Sequence, residues 1–202
     1  MRVNEETQAD TRQRLLDAAA ETFAEYGYHG TRIDSVSQRA GVAKGTIYNY
    51  FPSKAAVLET LVAEACLLAA DAALATPEHA PTRARLEAFV EANLRWARRR
   101  RSLAVLFARE LLAGDAEIKR LIRRAVAPCV RKLATIFQDG IDRGEVRSDA
   151  APEALAFTFI SLANMLLLQS FDPSGAWPRV REFPASVTTL FLQGVGAPAA
   201  QS

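Results

Sequence analysis

Residues 31–54 read TRIDSVSQRAGVAKGTIYNYFPSK, and this stretch decides the fold of the N-terminal part of the chain. Its apolar residues recur at three- and four-residue steps, which is the spacing of helices and not of strands. Gly41 interrupts the pattern because glycine readily adopts the positive φ of a tight turn, and Pro52 ends it. The stretch therefore predicts two short helices, at residues 31–40 and 44–51, with Thr31 as the cap of the first.

The apolar side chains of the two short helices are expected to pack into one small core. They are Ile33, Val36, Ala40, Val42, Ile47 and Phe51. Ser37 and Gly41, four positions apart, place small residues where the helices and the turn approach closely. We expect the Ser37 hydroxyl to donate a hydrogen bond to the preceding turn, so that a serine at this position does not lower the stability of the fold.

The second short helix leaves one face exposed once Ile47 and Phe51 are buried. This face carries donors and aromatic edges without any acid, at Lys44, Gly45, Thr46, Tyr48, Asn49 and Tyr50. Residues 28–54 hold four basic side chains and one acidic one, although the net charge of the whole chain is only +2. Such a local basic footprint on a short helix predicts binding to double-stranded DNA through the major groove. The alternative for Tyr48 and Tyr50 is that they are core residues.

The rest of the chain shows the same helical periodicity, and no segment alternates like a half-buried strand. A helix at residues 11–26 precedes the motif and ends at Gly27, and Ser53 is expected to cap a longer helix that reaches residue 75. Further helices are predicted at residues 82–100, 103–113, 115–139, 152–171 and 178–194. Pro184 means that the last of these is kinked or starts later than residue 178. The predicted fold class is all-α, with about nine helices.

The composition argues for a folded protein without metal or catalytic chemistry. Apolar residues make up 50% of the chain, and the first ten residues contain no apolar run, so we expect no signal peptide and a cytoplasmic location. Residues 154–171 are strongly apolar but fall short of the ~20 residues that span a bilayer, so no membrane partner is expected. Cys66 and Cys129 make no metal-ligand spacing with the histidines. We expect no cofactor, no metal site and no catalytic residue.

The segment from Gly27 to Lys54, with Leu58 and Leu61 after it, resembles the DNA-binding domain of the TetR family of bacterial transcriptional regulators. The resemblance includes KGTIYNYFPSK at residues 44–54 and covers about the first 70 residues, while the remainder agrees in helix number and topology. It implies a helix-turn-helix domain at residues 1–54 and an effector-binding and dimerisation domain at residues 55–202. The DNA contacts that it implies fall on Thr31, Lys44, Gly45, Thr46, Tyr48, Asn49, Tyr50 and Lys54, with Asn49 as a candidate base reader.

The resemblance also implies a homodimer that responds to a ligand. Residues 154–171 are apolar almost all round, and a second copy is expected to cover them through helices 152–171 and 178–194. Such a dimer would bind a near-palindromic operator. Polar or aromatic residues in apolar helical stretches mark a candidate pocket for a small, mostly apolar effector that is uncharged or weakly basic: Trp96, Phe107, Glu110, Phe137 and Asn164. The alternative is that these residues are exposed or paired structural residues.

The mechanism expected from this assignment is repression that the ligand relieves, although activation stays open. Two other classes of protein are weighed against it. An architectural or division-control protein could use the same fold on DNA without a small-molecule effector, and its helical core would be closed. An enzyme of the larger helical domain would need a nucleophile with a paired base, a metal cluster or a phosphate-binding glycine loop, and none of these patterns occurs in the sequence.

Overall fold

The computed structural model describes residues 2–113, 115–147, 149–169 and 182–195, and this part of the chain contains helices and no β-strand. The elements in chain order are α1 Arg2–Gly30, α2 Ile33–Arg39, a 3₁₀ turn Thr46–Asn49, α3 Lys54–Leu74, α4 Thr82–Arg99, α5 Arg101–Ala113, α6 Ala116–Asp142, α7 Pro152–Gln169 and α8 Phe183–Val195. The all-α class is confirmed, with eight α-helices and one 3₁₀ turn among the described residues.

The starts of the first and last helices differ most from the prediction. Helix α1 begins at Arg2, nine positions before the predicted start, and the backbone leaves helical geometry at Gly27, where φ is 72° and ψ is 174°. In the described part of the chain, helix α8 begins at Phe183, directly after Glu182 in a turn. Pro184 lies in the first turn of α8, where its missing N–H has no helical partner to lose. The predicted helical residues 170–171 and 178–181 lie outside the described residues.

The chain divides into two compact units. The first contains α1, α2, the 3₁₀ turn, the first part of α3, α5 and the first part of α6, that is, residues 1–62 and 100–125. The second contains the rest of α3, α4, the rest of α6, α7 and α8, that is, residues 63–99 and 126–202. The predicted division into domains at residues 1–54 and 55–202 stays a prediction.

The core of the first unit is built around α1 and the helix-turn-helix segment. Its fully buried side chains include Leu15, Leu16, Ala19, Phe23, Val36, Ile47 and Val57. Ser53 caps α3 as predicted, because its Oγ accepts the amide N–H of Ala56 at 3.1 Å. The local signals for the motif and for the helix that follows it therefore agree with the packing.

The second unit is held by an aromatic cluster to which four helices contribute. Its members are Phe89 of α4, Phe137 of α6, Phe159 of α7 and Phe191 of α8. Ring centroids of neighbouring members lie 5.1–6.2 Å apart, within the range of favourable edge-to-face contacts. In the same unit the Cys129 thiol donates to the backbone carbonyl of Cys66 at 3.3 Å, and both cysteines are free.

Candidate nucleic-acid interface

The turn after α2 is held by a glycine and by one arginine of α1. Gly41 has a φ of +67°, and its amide donates to the carbonyl of Gln38 at 3.1 Å. The prediction that this glycine permits a tight turn is confirmed. Arg14 Nη2 donates to the carbonyl oxygen of Ala40 at 2.6 Å and so fastens the C-terminal end of α2 to α1.

The predicted small core of the motif is present, with one correction. Val36, Ala40, Ile47 and Phe51 are buried, and Ile33 and Val42 are half-buried. Ser37 is also completely buried, but its Oγ has no hydrogen-bond partner among the described residues. The expectation that this hydroxyl bonds back to the preceding turn is wrong, because the tight packing of α2 encloses the hydroxyl in the core instead.

The second element of the motif is shorter than predicted. A continuous helix at residues 44–51 is replaced by turns and the 3₁₀ turn Thr46–Asn49. The reason is Gly45, whose φ of 87° is left-handed and therefore incompatible with an α-helix at this position. The amide of Tyr48 donates to the carbonyl of Gly45 at 3.0 Å, three residues back, which is the 3₁₀ pattern.

This short element presents most of the predicted side chains at the surface. The Lys44 side chain is 78% exposed, Tyr48 is 52% exposed, and Asn49 is exposed as well. Thr46 and Tyr50 are half-buried. Ile47, between them, is fully buried and anchors the element to the core. The alternative that Tyr48 is a core residue is therefore excluded.

The charges around the motif are partly paired, and one further basic residue lies beside it. Lys44 Nζ lies 3.1 Å from Asp34 Oδ2, and this ion pair is exposed enough to exchange readily for another anion. Arg32 is the N-cap position of α2, and its side chain is exposed. This arginine is one of the four basic residues of the predicted footprint, but no DNA contact was predicted for it. Its position next to Thr31, the predicted N-cap residue, was the feature of the sequence that could have indicated such a contact.

Thr31 and Lys54, two of the predicted DNA contacts, donate hydrogen bonds to backbone carbonyls near the start of the motif. Thr31 is 3% exposed, and its hydroxyl lies 2.8 Å from the carbonyl oxygen of Gly27. It does not cap α2, since that helix starts after Arg32 without a side-chain cap. Lys54 Nζ donates to the carbonyl oxygens of Tyr28 and Thr31 at 2.9 and 3.1 Å. These two side chains hold the backbone of the motif.

The turn before α2 also contacts the start of α6, within the same unit. His29 Nε2 lies 2.8 Å from Asp115 Oδ2. The other carboxylate oxygen of Asp115 accepts the amide N–H of Ile118 at 3.0 Å and so caps α6. The bond from Ile118, together with the contact to His29, holds the pKa of the Asp115 carboxyl below its usual value.

The predicted effector residues are distributed over both units. Trp96, Phe137 and Asn164 belong to the second unit, whereas Phe107 and Glu110 belong to the first. Phe137 is fully buried in the aromatic cluster, and the other four are half-buried.

Asn164 has a partner that the sequence did not predict. Asn93 Nδ2 of α4 donates to Asn164 Oδ1 of α7 at 3.1 Å. The pair is half-buried within the second unit. The signal for Asn93 was weak, since a single asparagine on an amphipathic helix is usually exposed.

Two other kinds of site are absent from the described part of the chain. No group of three or more His, Cys, Asp or Glu side chains there is placed to hold a metal ion. No described helix is long and apolar enough to cross a bilayer.

Comparison with known proteins decides the family. The profile of the family described as "Bacterial regulatory proteins, tetR family" matches residues 15–61, which contain the motif described above. The profile described as "Tetracyclin repressor-like, C-terminal domain" matches residues 79–195, more than half of the chain. The chain belongs to the TetR family. It is a bacterial-type transcriptional regulator with an N-terminal helix-turn-helix and a helical C-terminal region, and the resemblance seen in the sequence is confirmed.

Individual relatives of this TetR-family chain are also transcriptional regulators. The fatty acid metabolism regulator protein of Bacillus subtilis is 28% identical over 139 residues, which cover 66% of this chain and 70% of that protein. The regulator RutR of Escherichia coli is 30% identical over 103 residues, 51% of this chain and about half (49%) of that protein.

Solved structures share the fold of this TetR-family chain. FadR from Bacillus subtilis in complex with stearoyl-CoA has a TM-score of 0.75 at 23% identity, covering 91% of this chain and 98% of that one. FadR from Bacillus halodurans has a TM-score of 0.76 at 22% identity, covering 91% of this chain and 95% of that one.

Proposed function

We propose that this chain is a sequence-specific DNA-binding repressor that acts as a homodimer and is released from its operator by a small, mostly apolar ligand. The observation that carries the DNA-binding part is the surface element formed by Lys44, Tyr48 and Asn49, which the buried Ile47 fixes to the core. A rigid, acid-free element of this size fits the major groove of a duplex.

The side chains of this element suit different contacts with a duplex. Lys44 can exchange its ion pair with Asp34 for a phosphate. Thr46 and Tyr48 carry hydroxyl groups for phosphate oxygens and apolar surface for a thymine methyl group, and the Asn49 amide can form a bidentate pair with adenine. Apart from its two chain neighbours, no described residue places an atom within 4 Å of the position that a Cβ at Gly45 would take, so the backbone can approach DNA closely here.

The DNA-binding proposal is tested with a duplex that the parent protein selects from random DNA. The double variant Thr46→Ala, Tyr48→Ala is expected to lose affinity, since each lost base or phosphate contact costs about 1–3 kcal/mol. Tyr26→Ala is the matched control, because Tyr26 is 55% exposed on α1 but lies outside the motif. Unchanged affinity in the folded double variant, measured by fluorescence anisotropy, would refute the proposal.

The homodimer is supported by an exposed apolar face on α7 and α8. Phe157 and Met165 of α7 are 51% and 44% exposed, and Leu190 of α8 is 54% exposed. Residues 157, 161 and 165 follow each other at four-residue steps, so they share one face of α7. Large apolar side chains grouped on one surface usually mark a protein interface. Helix-turn-helix proteins that bind as homodimers contact two half-sites in successive major grooves.

The dimer is tested by mass. Light scattering at micromolar concentration is expected to give the mass of two chains for the parent and of one chain for Phe157→Glu. Val105→Glu is the control, because Val105 is also 44% exposed but lies on α5. A parent protein with the mass of one chain would remove this part of the proposal.

The effector is proposed to bind in the second unit, near the half-buried pair of Asn93 and Asn164. A few amide groups in an otherwise apolar site can orient a ligand. The name of the Bacillus subtilis relative, a fatty acid metabolism regulator, makes a long-chain acyl compound the first candidate. Stearoyl-CoA is the probe because it is the molecule bound in the FadR structure.

Stearoyl-CoA is expected to weaken binding to the selected duplex by about 5- to 150-fold, the range that ligand coupling usually spans. Asn164→Leu should bind the same duplex as tightly as the parent and lose this response. If stearoyl-CoA and a panel of small, mostly apolar compounds all leave the affinity of the parent unchanged, a DNA-binding protein without an effector becomes the better account.

A further inference from the structure

Lys54 bonds to backbone groups of the unit that contains the helix-turn-helix. Its Nζ donates to the carbonyl oxygens of Tyr28 at 2.9 Å and Thr31 at 3.1 Å, and it lies 4.6 Å from the centroid of the Tyr28 ring. An ammonium group has three N–H donors and no acceptor. Two carbonyls and one aromatic face therefore provide a partner for each donor.

The two carbonyl oxygens belong to the two ends of the turn that joins α1 to α2. Tyr28 follows Gly27, where φ is 72° and the first helix is interrupted, and Thr31 immediately precedes the N-cap position of α2. The Thr31 hydroxyl bonds the carbonyl of Gly27 across the same turn. Lys54 thus closes the turn of residues 28–31, and the conformation of this turn sets where α2 begins.

The site is partly shielded from water. Tyr28 is 5% exposed, and Lys54 is half-buried. Burial lowers the pKa of the Lys54 amine, against the opposing effect of the Glu117 charge. If this ammonium turned outward to a phosphate, two backbone carbonyls would lose their donor. Binding of a phosphate by Lys44 would have no comparable cost, because the Lys44 side chain is already 78% exposed.

We propose that Lys54 is a positioning residue for DNA binding: it holds the turn of residues 28–31, and with it α2, and makes no phosphate contact of its own. The inference rests on the DNA-binding function proposed above. It departs from the role that the family resemblance implies for this lysine, which is a direct contact.

The salt dependence of DNA affinity distinguishes the two roles. The affinity falls with salt, and each phosphate contact adds about 0.9 to the magnitude of the slope of log affinity against log salt concentration. The slope below means this magnitude. The affinity of Lys54→Met for the duplex selected by the parent is expected to fall at least about fivefold, with the slope unchanged. In Lys44→Met, the matched control for a lysine that faces solvent, the slope is expected to fall by about 0.9 per protomer. A slope that falls equally in Lys54→Met would overturn the inference.

Lys54→Arg provides a second test that keeps the charge. A phosphate contact accepts arginine in place of lysine, so a direct role predicts parental affinity. A positioning role predicts weaker binding with a parental slope, because a planar guanidinium cannot place its donors where the compact ammonium places them. Parental affinity in Lys54→Arg would also overturn the inference.

A third measurement needs no DNA and so separates this inference from the proposed function. Amide hydrogen exchange is expected to become faster across residues 28–39 in Lys54→Met and to stay parental in Lys44→Met. Parental exchange in both variants would overturn the positioning role. Failure of the parent protein to select any duplex would instead refute the DNA-binding proposal, and the exchange result would still decide whether Lys54 holds the turn.

Discussion

Replacing Ser37 with alanine should make the protein more stable. Ser37 lies within the seven-residue helix α2, is fully buried, and has no hydrogen-bond partner for its Oγ in the described part of the chain. A buried hydroxyl without a partner costs about 1–3 kcal/mol. Alanine also has the higher helix propensity, by a few tenths of a kcal/mol. Both effects have the same sign, so Ser37→Ala should raise the free energy of unfolding by about 2 kcal/mol.

The measurement is urea unfolding followed by circular dichroism at one fixed protein concentration. Thermal unfolding of the same samples gives a second readout. For a chain of this length, each 1 kcal/mol of added stability raises the Tm by about 2–4 °C, so the expected rise in Tm is about 4–8 °C. Ser35→Ala is the matched control on the same helix, because the Ser35 hydroxyl is satisfied: it donates to the carbonyl of Arg32 at 2.6 Å. The control should gain nothing or lose up to about 1 kcal/mol.

Two results would contradict this reasoning. If Ser37→Ala and Ser35→Ala change stability equally, helix propensity alone accounts for both, and the unsatisfied hydroxyl has no measurable cost. If Ser37→Ala lowers the free energy of unfolding, the Ser37 hydroxyl makes a stabilising interaction in solution that is not seen among the described residues. Affinity for the selected duplex should be unchanged, since Ser37 is buried and cannot touch DNA.

Three further predictions follow from the glycines and from one carboxylate. A Cβ at Gly140 would lie 2.5 Å from Thr82 Oγ1, so Gly140→Ala should lower stability by about 1–3 kcal/mol in urea unfolding, whereas Gly194→Ala, with nothing within 4 Å, should not. Gly45→Ala should cost about 1–2 kcal/mol from its φ of 87° and weaken duplex binding in anisotropy, and Gly45→Asn should recover part of both. Hydrogen bonds lower the pKa of Asp115, so its stabilising effect is complete above its usual pKa of 3.8 and is lost as the pH falls through the lowered value. Asp115→Asn should therefore show a shallower loss of stability than the parent in the acid range, measured as Tm against pH; identical curves would contradict the assigned hydrogen bonds.

Local signals determined the helical class and the helix-turn-helix. The three- and four-residue spacing of apolar residues marked the helices, because that spacing alone places them on one face. Gly27 and Gly41 marked the interruption of α1 and the tight turn, and both have positive φ. Ser53 marked the start of α3. Each of these signals depends on a residue's own backbone preference or on partners within one helical turn, so no distant contact is needed to interpret it.

Only the tertiary structure decided which polar side chains of the motif face inward. Thr31 and Lys54 were both predicted to contact DNA, yet Lys54 bonds the carbonyl of Tyr28, 26 positions away in the sequence. The pairing of Asn93 with Asn164 spans 71 positions. A polar side chain goes wherever a partner satisfies it at the lowest cost, and sequence spacing cannot show partners that folding brings from other helices. The sequence alone therefore determined where the helix-turn-helix lies, and the packing of α1 and α3 around it decided which of its polar side chains face outward.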